Sequence, residues 1–213
     1  MNVHVPRPAS PASLAAEGLP RRSWTVSDVD RMLEAGIIDR SERFELIGGE
    51  IVPMSPKGRI HELVKKELNR FWTKAINADI DILPETTLYI GERDFLEPDF
   101  IFWPRSIAIE DIRPAELLLV VEVADSSLSY DLGRKAQIYS ALGVRDYWAI
   151  DAVRMLTHIH RLAESGAEYR PAIPVPHTER ATPLLVPDLA VRLADLAWSR
   201  ADGRVIVRPK PAP

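Results

Sequence analysis

Apolar positions along this chain come in short blocks that switch between the two-residue period of strands and the 3.6-residue period of helices. The most regular block spans residues 59–77. There Ile60, Val64, Leu68, Phe71 and Ala75 recur at helical spacing while Lys65, Lys66, Glu67 and Arg70 point elsewhere. Residues 28–35 predict a short helix with Val29, Met32 and Leu33 on one face, Ser27 as N-cap and Gly36 as the stop. Residues 131–142 predict another, ended by Gly143. Its 131/135/138/142 stripe, the one to be turned toward a core, carries Lys135 beside Ile138 and Leu142.

The strand signals are as clear in places. Phe44-Glu45-Leu46-Ile47 and Glu50-Ile51-Val52 flank Gly48-Gly49, which predicts a hairpin. Short strands are expected at 79–83 and 86–90 around Pro84. A polar turn is expected at 91–97, a strand at 98–104 between two prolines, and a connection at 105–115. Leu117-Leu118-Leu119-Val120-Val121 is apolar enough for a strand buried on both faces, and Val123-Ala124 continues it past Glu122. A strand at 145–150 follows, then a hairpin of 155–161 with 167–170 around Glu164-Ser165-Gly166. Residues 171–183 read as a proline-rich loop, and 184–198 as a strand followed by a short helix. Helices interleave with hairpins and single strands, so the fold class is mixed α/β. No repeat and no long linker divides it. One domain is expected over 23–200, between a flexible tail at 1–22 and a C-terminal tail at 201–213.

Composition narrows the function classes. The 213 residues carry 27 basic and 31 acidic side chains, a net charge of −4. That balance counts against a protein that coats nucleic acid and puts the weight of any nucleic-acid role on a local site. There is no cysteine, which excludes disulfides and thiolate metal sites. No apolar run approaches the ~18 residues that cross a bilayer, and the N-terminus lacks the apolar core of a secretory signal. A cytoplasmic protein with no membrane partner is the expectation.

The chemistry concentrates at three residues. A carboxylate inside a buried strand costs several kcal/mol or more unless it is compensated, so Glu122 calls for a cation, a metal ion or a raised pKa. Lys135, on the core-facing stripe of the next helix, is a candidate partner. Asp99 follows Pro98 at the start of a hydrophobic strand. Two carboxylates on neighbouring strands give a hard cation such as Mg²⁺ its oxygen ligands and leave room for water. A nearby lysine could then offset charge building on a phosphate. Each residue also has an ordinary reading: a Glu122–Lys135 ion pair, a turn at Asp99, an i,i+4 pair of Lys135 with Asp131. Glu45 reads equally as a solvated strand residue, and His61, off the apolar stripe, either as a group supporting the site or contacting substrate or as a surface or half-buried histidine. His158 and His160 share a strand face but have no third partner for a zinc site. Tyr147-Trp148 reads as core.

Taken in order, Glu45-Leu46-Ile47-Gly48-Gly49-Glu50, His61, Pro98-Asp99, Val121-Glu122-Val123-Ala124-Asp125-Ser126-Ser127, Asp131, Lys135, Tyr139 and Gly143-Val144-Arg145-Asp146-Tyr147-Trp148 resemble the Uma2 family over about residues 24–198. That resemblance implies the PD-(D/E)XK superfamily: a restriction-endonuclease-like mixed central β-sheet flanked by helices, and Mg²⁺- or Mn²⁺-dependent hydrolysis of phosphodiester bonds in DNA. It implies Asp99 and Glu122 as metal ligands, Lys135 as the catalytic lysine and Glu45 as an accessory acid. The superfamily's lysine usually stands two residues after the glutamate. That position here is Ala124, and the resemblance places the lysine on the following helix. A homodimer would suit cutting both strands of a duplex. The alternatives are a catalytically inactive nuclease-fold module that binds nucleic acid or protein, and a metal-dependent hydrolase with another substrate.

Overall fold

The structure, a computed structural model, describes residues 22–166 and 168–196. The expected tails at 1–22 and 201–213 lie outside these residues, apart from Arg22. Its frame is a six-stranded sheet. The strands, numbered along the chain, are β3 (Ile80–Pro84), β6 (Phe100–Pro104), β7 (Leu119–Ala124), β8 (Asp146–Asp151), β9 (Leu156–Arg161) and β10 (Ile173–Pro176), in the order β10-β9-β8-β7-β6-β3. β7 and β8 run parallel and the other neighbours antiparallel. A parallel pair needs a crossover, and the segment between them supplies one. Leu128–Tyr130 enters a π-helical turn, Asp131–Lys135, and continues as Ala136–Ala141; together these form helix α3. The helix therefore begins before residue 131, and the π turn falls on the stretch that carries Lys135.

Alternation along the strands sends side chains to two cores. Phe100, Phe102, Leu119, Val121, Val123, Trp148 and Ile150 face helix α2 (Arg59–Ala75), where they meet Val64, Leu68 and Trp72. Trp72 lies edge-on to Phe100 and Phe102, with ring centroids 5.3 and 5.1 Å away. Its indole N–H donates to the Leu189 carbonyl at 3.0 Å. The opposite set, Ile101, Trp103, Val120, Tyr147 and Ala149, packs on Ala136 and Tyr139 of α3. Because the period is two, Glu122 shares the face of Val120 and points at α3.

A second sheet orders its strands β2-β1-β5-β4: β1 (Phe44–Ile47), β2 (Glu50–Pro53), β4 (Leu88–Gly91) and β5 (Asp94–Leu96). The β1–β2 hairpin turns at Gly48 and Gly49, both at positive φ. A side chain on Gly49 would collide with the Trp24 backbone. Helix α1 (Val26–Glu34) packs its Val29 with Phe44, Leu46 and Phe95.

Several expectations need correction. The N-cap of α1 is Thr25, not Ser27: Thr25 accepts from the Asp28 N–H while Asp28 accepts from the Thr25 N–H, a closed capping box. The stretch 91–97 holds a strand, β5, paired with β4 and β1. β9 pairs not with 167–170 but with β10, inside the expected proline-rich loop, and Leu162 and Tyr169 form only a single bridge. Pro174 and Pro176 are tolerated there because β10 is an edge strand. Residues 184–196 form two 3₁₀ turns around a two-residue strand, β12 (Val191–Arg192), paired with β11 (Arg180–Ala181); residues 197 and 198 lie outside the described chain.

Candidate active site

A cleft of about 310 Å³ opens where the C-terminal end of β7 meets the first turns of α2 and α3, with the β2–α2 loop across it. Glu45, Asp99, Glu122 and Lys135, the four residues singled out from the sequence, all line it. Each is at most 5% exposed. Such burial of three carboxylates and an ammonium is costly without mutual compensation.

The compensation is legible bond by bond. Lys135 Nζ sits 2.8 Å from Glu122 Oε1 and 3.0 Å from Glu45 Oε1, bridging the two sheets. Tyr139, one turn on, donates its hydroxyl to Glu122 Oε1 at 2.9 Å. Glu45 Oε1 also accepts the Glu97 N–H at 3.0 Å, so it is a buried bridging acid and not a solvated strand residue. Asp131 is buried as well, holding the Ser127 hydroxyl at 2.6 Å and, through its carbonyl, that of Tyr147 at 3.1 Å. The ordinary i,i+4 pairing of Lys135 with Asp131 gives way to these cross-element bonds.

Asp99 forms the other half of the site. Its Oδ2 accepts from the Val123 N–H at 2.9 Å and lies 2.9 Å from His61 Nε2. Its Oδ1 accepts from Lys57 Nζ at 2.8 Å. His61 is buried, unlike the surface or half-buried histidine its position off the apolar stripe suggests, because the first turn of α2 abuts the ends of β6 and β7. Lys57 escaped the sequence reading. It sits in a loop with no period, and no local signal distinguishes it from a solvated lysine.

The electrostatics divide in the same way. Burial pushes Glu122 up to about 8, and Asp131, Asp99 and Glu45 add to that against the pull of Lys135. Burial works against a charged Lys135, but Glu122, Glu45 and Asp131 outweigh it and raise its pKa well above the usual range. At Asp99 burial acts upward, yet His61 and Lys57 hold the carboxyl well below the ordinary value. Asp131 is raised by burial. One carboxyl group is thus kept ionised and its neighbour is primed to hold a proton.

The donor set suits a hard divalent cation. Glu45, Asp99, Glu122, Asp125 and Asp131 line the cleft against two lysines, Lys57 and Lys135, and His61. Among the described residues no three His, Cys, Asp or Glu side chains converge to hold a metal alone. Such a lining can offer an ion one or two carboxylates and leave its remaining positions to water. Tyr147 and Trp148 are fully buried core, as their sequence position suggests.

Residues 27–197 match the model of the Uma2 family, described as "putative restriction endonuclease". The chain belongs to the Uma2 family. A solved structure from Anabaena variabilis, titled as a putative nuclease belonging to DUF820, superposes with a TM-score of 0.60 at 12% identity, covering 76% of this chain and 93% of that one. That likeness supports the restriction-endonuclease-like fold expected for a Uma2 protein. The type IIG restriction endonuclease BpuSI aligns with a TM-score of 0.37 at 16% identity, over 56% of this chain and 14% of that one. No curated protein matches the sequence. Among the described residues of this Uma2 chain, no helix is long and apolar enough to cross a membrane.

Proposed function

We propose that the cleft is the active site of a Mg²⁺- or Mn²⁺-dependent endonuclease that hydrolyses phosphodiester bonds in DNA, with Asp99 and Glu122 as the metal ligands. The observation that carries this reading is the convergence of Asp99 from the bend before β6, Glu122 from β7 and Lys135 from α3 in one cleft where carboxylates outnumber cations. A divalent cation held there supplies Lewis acidity toward the scissile phosphate and toward water. Lys135 keeps its proton and offsets negative charge as it builds on the phosphate. Glu45 and Tyr139 fix the positions of Lys135 and Glu122, and His61 with the Val123 N–H fixes Asp99. Ala124 stands where the superfamily usually carries its lysine, and Lys135 takes that role from α3. The reading sets the protein in the cytoplasm, with paired protomers as the arrangement for cutting both strands of a duplex.

A second reading has its own support. Lys57 and His61 already contact Asp99, and Lys135 already contacts Glu122, as they would in a nuclease fold that only binds. Plasmid cleavage with Mg²⁺ or Mn²⁺ separates the two. The endonuclease reading expects cutting that EDTA stops and that Glu122→Ala and Lys135→Ala abolish while both variants stay folded. DNA binding without cleavage under either metal would transfer the site to the binding reading. Normal cutting by Lys135→Ala would remove that residue from the mechanism.

A further inference from the structure

Lys57 enters the cleft from the loop before α2 with its side chain only 13% exposed. Its Nζ has two carboxylate partners, Asp99 Oδ1 at 2.8 Å and Glu85 Oε1 at 2.6 Å. Glu85 is held in an uncommon conformation: its φ of 51° lies in the left-handed region that non-glycine residues seldom occupy. The Glu85 N–H, 3.2 Å from the Asp99 carbonyl, pins it there. In that position its carboxylate also meets Lys65 at 2.8 Å and Arg43 at 3.3 Å. Burial alone would raise the Glu85 pKa, but Lys57 and Lys65 bring it down to about 2, so it remains an anion. Local strain of this kind persists where surrounding contacts over-determine it, and functional sites are where it collects.

The two oxygens of Asp99 are therefore held differently. Oδ2 is fixed by α2 and by strand backbone. The partner of Oδ1 is a long flexible side chain on a loop, with a second anion ready to keep it. We propose that Lys57 is a resident cation of the site. It occupies Asp99 Oδ1 until a divalent cation takes that oxygen, then pivots on Glu85 and presents its ammonium to the phosphate entering the cleft. Exchange of one cation for another keeps the buried carboxylate neutralised throughout, which removes the cost of an unpaired charge at Asp99. Glu85 is the positioning residue of this device, and the inference rests on the metal-dependent reading above.

Mn²⁺ titration of the full chain by calorimetry, with wild type, Lys57→Met and Glu85→Gln, tests it. Lys57→Met removes the competitor and should tighten Mn²⁺ binding by about tenfold, the scale of one charge contact in a partly screened site. Glu85→Gln leaves Lys57 with Asp99 as its only carboxylate and should weaken Mn²⁺ binding. A merely structural role would weaken binding in both variants, so the opposite signs are diagnostic. At saturating Mn²⁺, Lys57→Met should raise KM for duplex by about tenfold while kcat moves less, because a phosphate contact common to ground and transition states is lost. Unchanged or weaker Mn²⁺ binding by a folded Lys57→Met overturns the proposal while leaving the metal reading standing. An unchanged KM overturns its phosphate half. Absence of Mn²⁺ binding by wild type overturns the metal reading itself, and this one with it.

Discussion

Glu122 makes the sharpest demand on experiment, because burial pushes its carboxyl up to about 8. A group with that pKa is ~90% protonated at pH 7 and ~99% protonated at pH 6. A metal ligated by Glu122 must displace that proton. Asp99, held well below the ordinary range, contributes none. Mn²⁺ affinity should accordingly rise ~10-fold between pH 6 and 7, rise more slowly toward pH 8 and flatten above it. A glutamate at its ordinary value of 4.5 would give a flat profile over the whole interval. Calorimetry at pH 7 in two buffers of different ionisation enthalpy should count ~0.9 proton released per Mn²⁺, a property of the coupled cluster and not of one oxygen. Glu122→Gln should abolish both the release and the pH dependence. A flat affinity profile with no proton released would refute the placement of Glu122 as a ligand held in its acid form.

Other outcomes are set by the packing. Trp72→Ala removes a fully buried indole wedged against Phe100, Phe102 and Trp148, and should cost about 3–5 kcal/mol in urea unfolding at constant m-value. Burial raises Asp146 from 3.8 to about 6. The folded state then binds its proton more tightly than the unfolded one, and stability should fall by about 2 kcal/mol as pH rises from 4 to 7. Asp146→Asn should remove that slope, and urea titrations at pH 4 and 7 would show an unchanged slope if the assignment were wrong. His160 is shifted the other way by burial, down to about 4, with His158 adding to the effect. Its contribution is intact above the ordinary value of 6.5 and is lost as pH falls toward 4, so His160→Phe should flatten the acid limb of a thermal melt series.

Much of the frame was legible because it rests on period and turn chemistry. The 3.6-residue recurrence of Val64 and Leu68, the Gly48-Gly49 turn and the alternation through Val120, Val121 and Glu122 are local facts, and the structure keeps each. The pairing of Glu122 with Lys135 was legible for the same reason: a strand face and a helix stripe, thirteen residues apart, had to meet. What stayed hidden was set by tertiary contact or by short length. Nothing near Lys57 announces Asp99, forty-two residues away. His61 looks peripheral on its own helix and is buried by another element's strand ends. The three-residue β5 is too short to show alternation, and the prolines of β10 argue against a strand until its edge position is known. The Thr25 cap was within reach, since Asp28 three residues on completes the capping-box spacing.

The π turn at Asp131–Lys135 gives this site an unusual sensitivity to chain length. A π turn holds one residue more than the α-helical turn it interrupts. Each residue removed from such a turn rotates the upstream segment against the downstream one by about 100°. Upstream stand Ser127 and the C-terminal end of β7. Downstream stand Lys135, aimed at Glu122, and Tyr139 behind it. A lysine carried on the glutamate's own strand would have its direction set by the pleat. Here the direction is set by how many residues lie between strand and helix. Deletion of Gly133, whose Cβ position faces open space, would change no charge and no cleft side chain, yet would turn the lysine away from its carboxylates. Within such a scaffold, single-residue insertions and deletions in α3 are a way to disarm or re-aim the site while every motif residue remains in place.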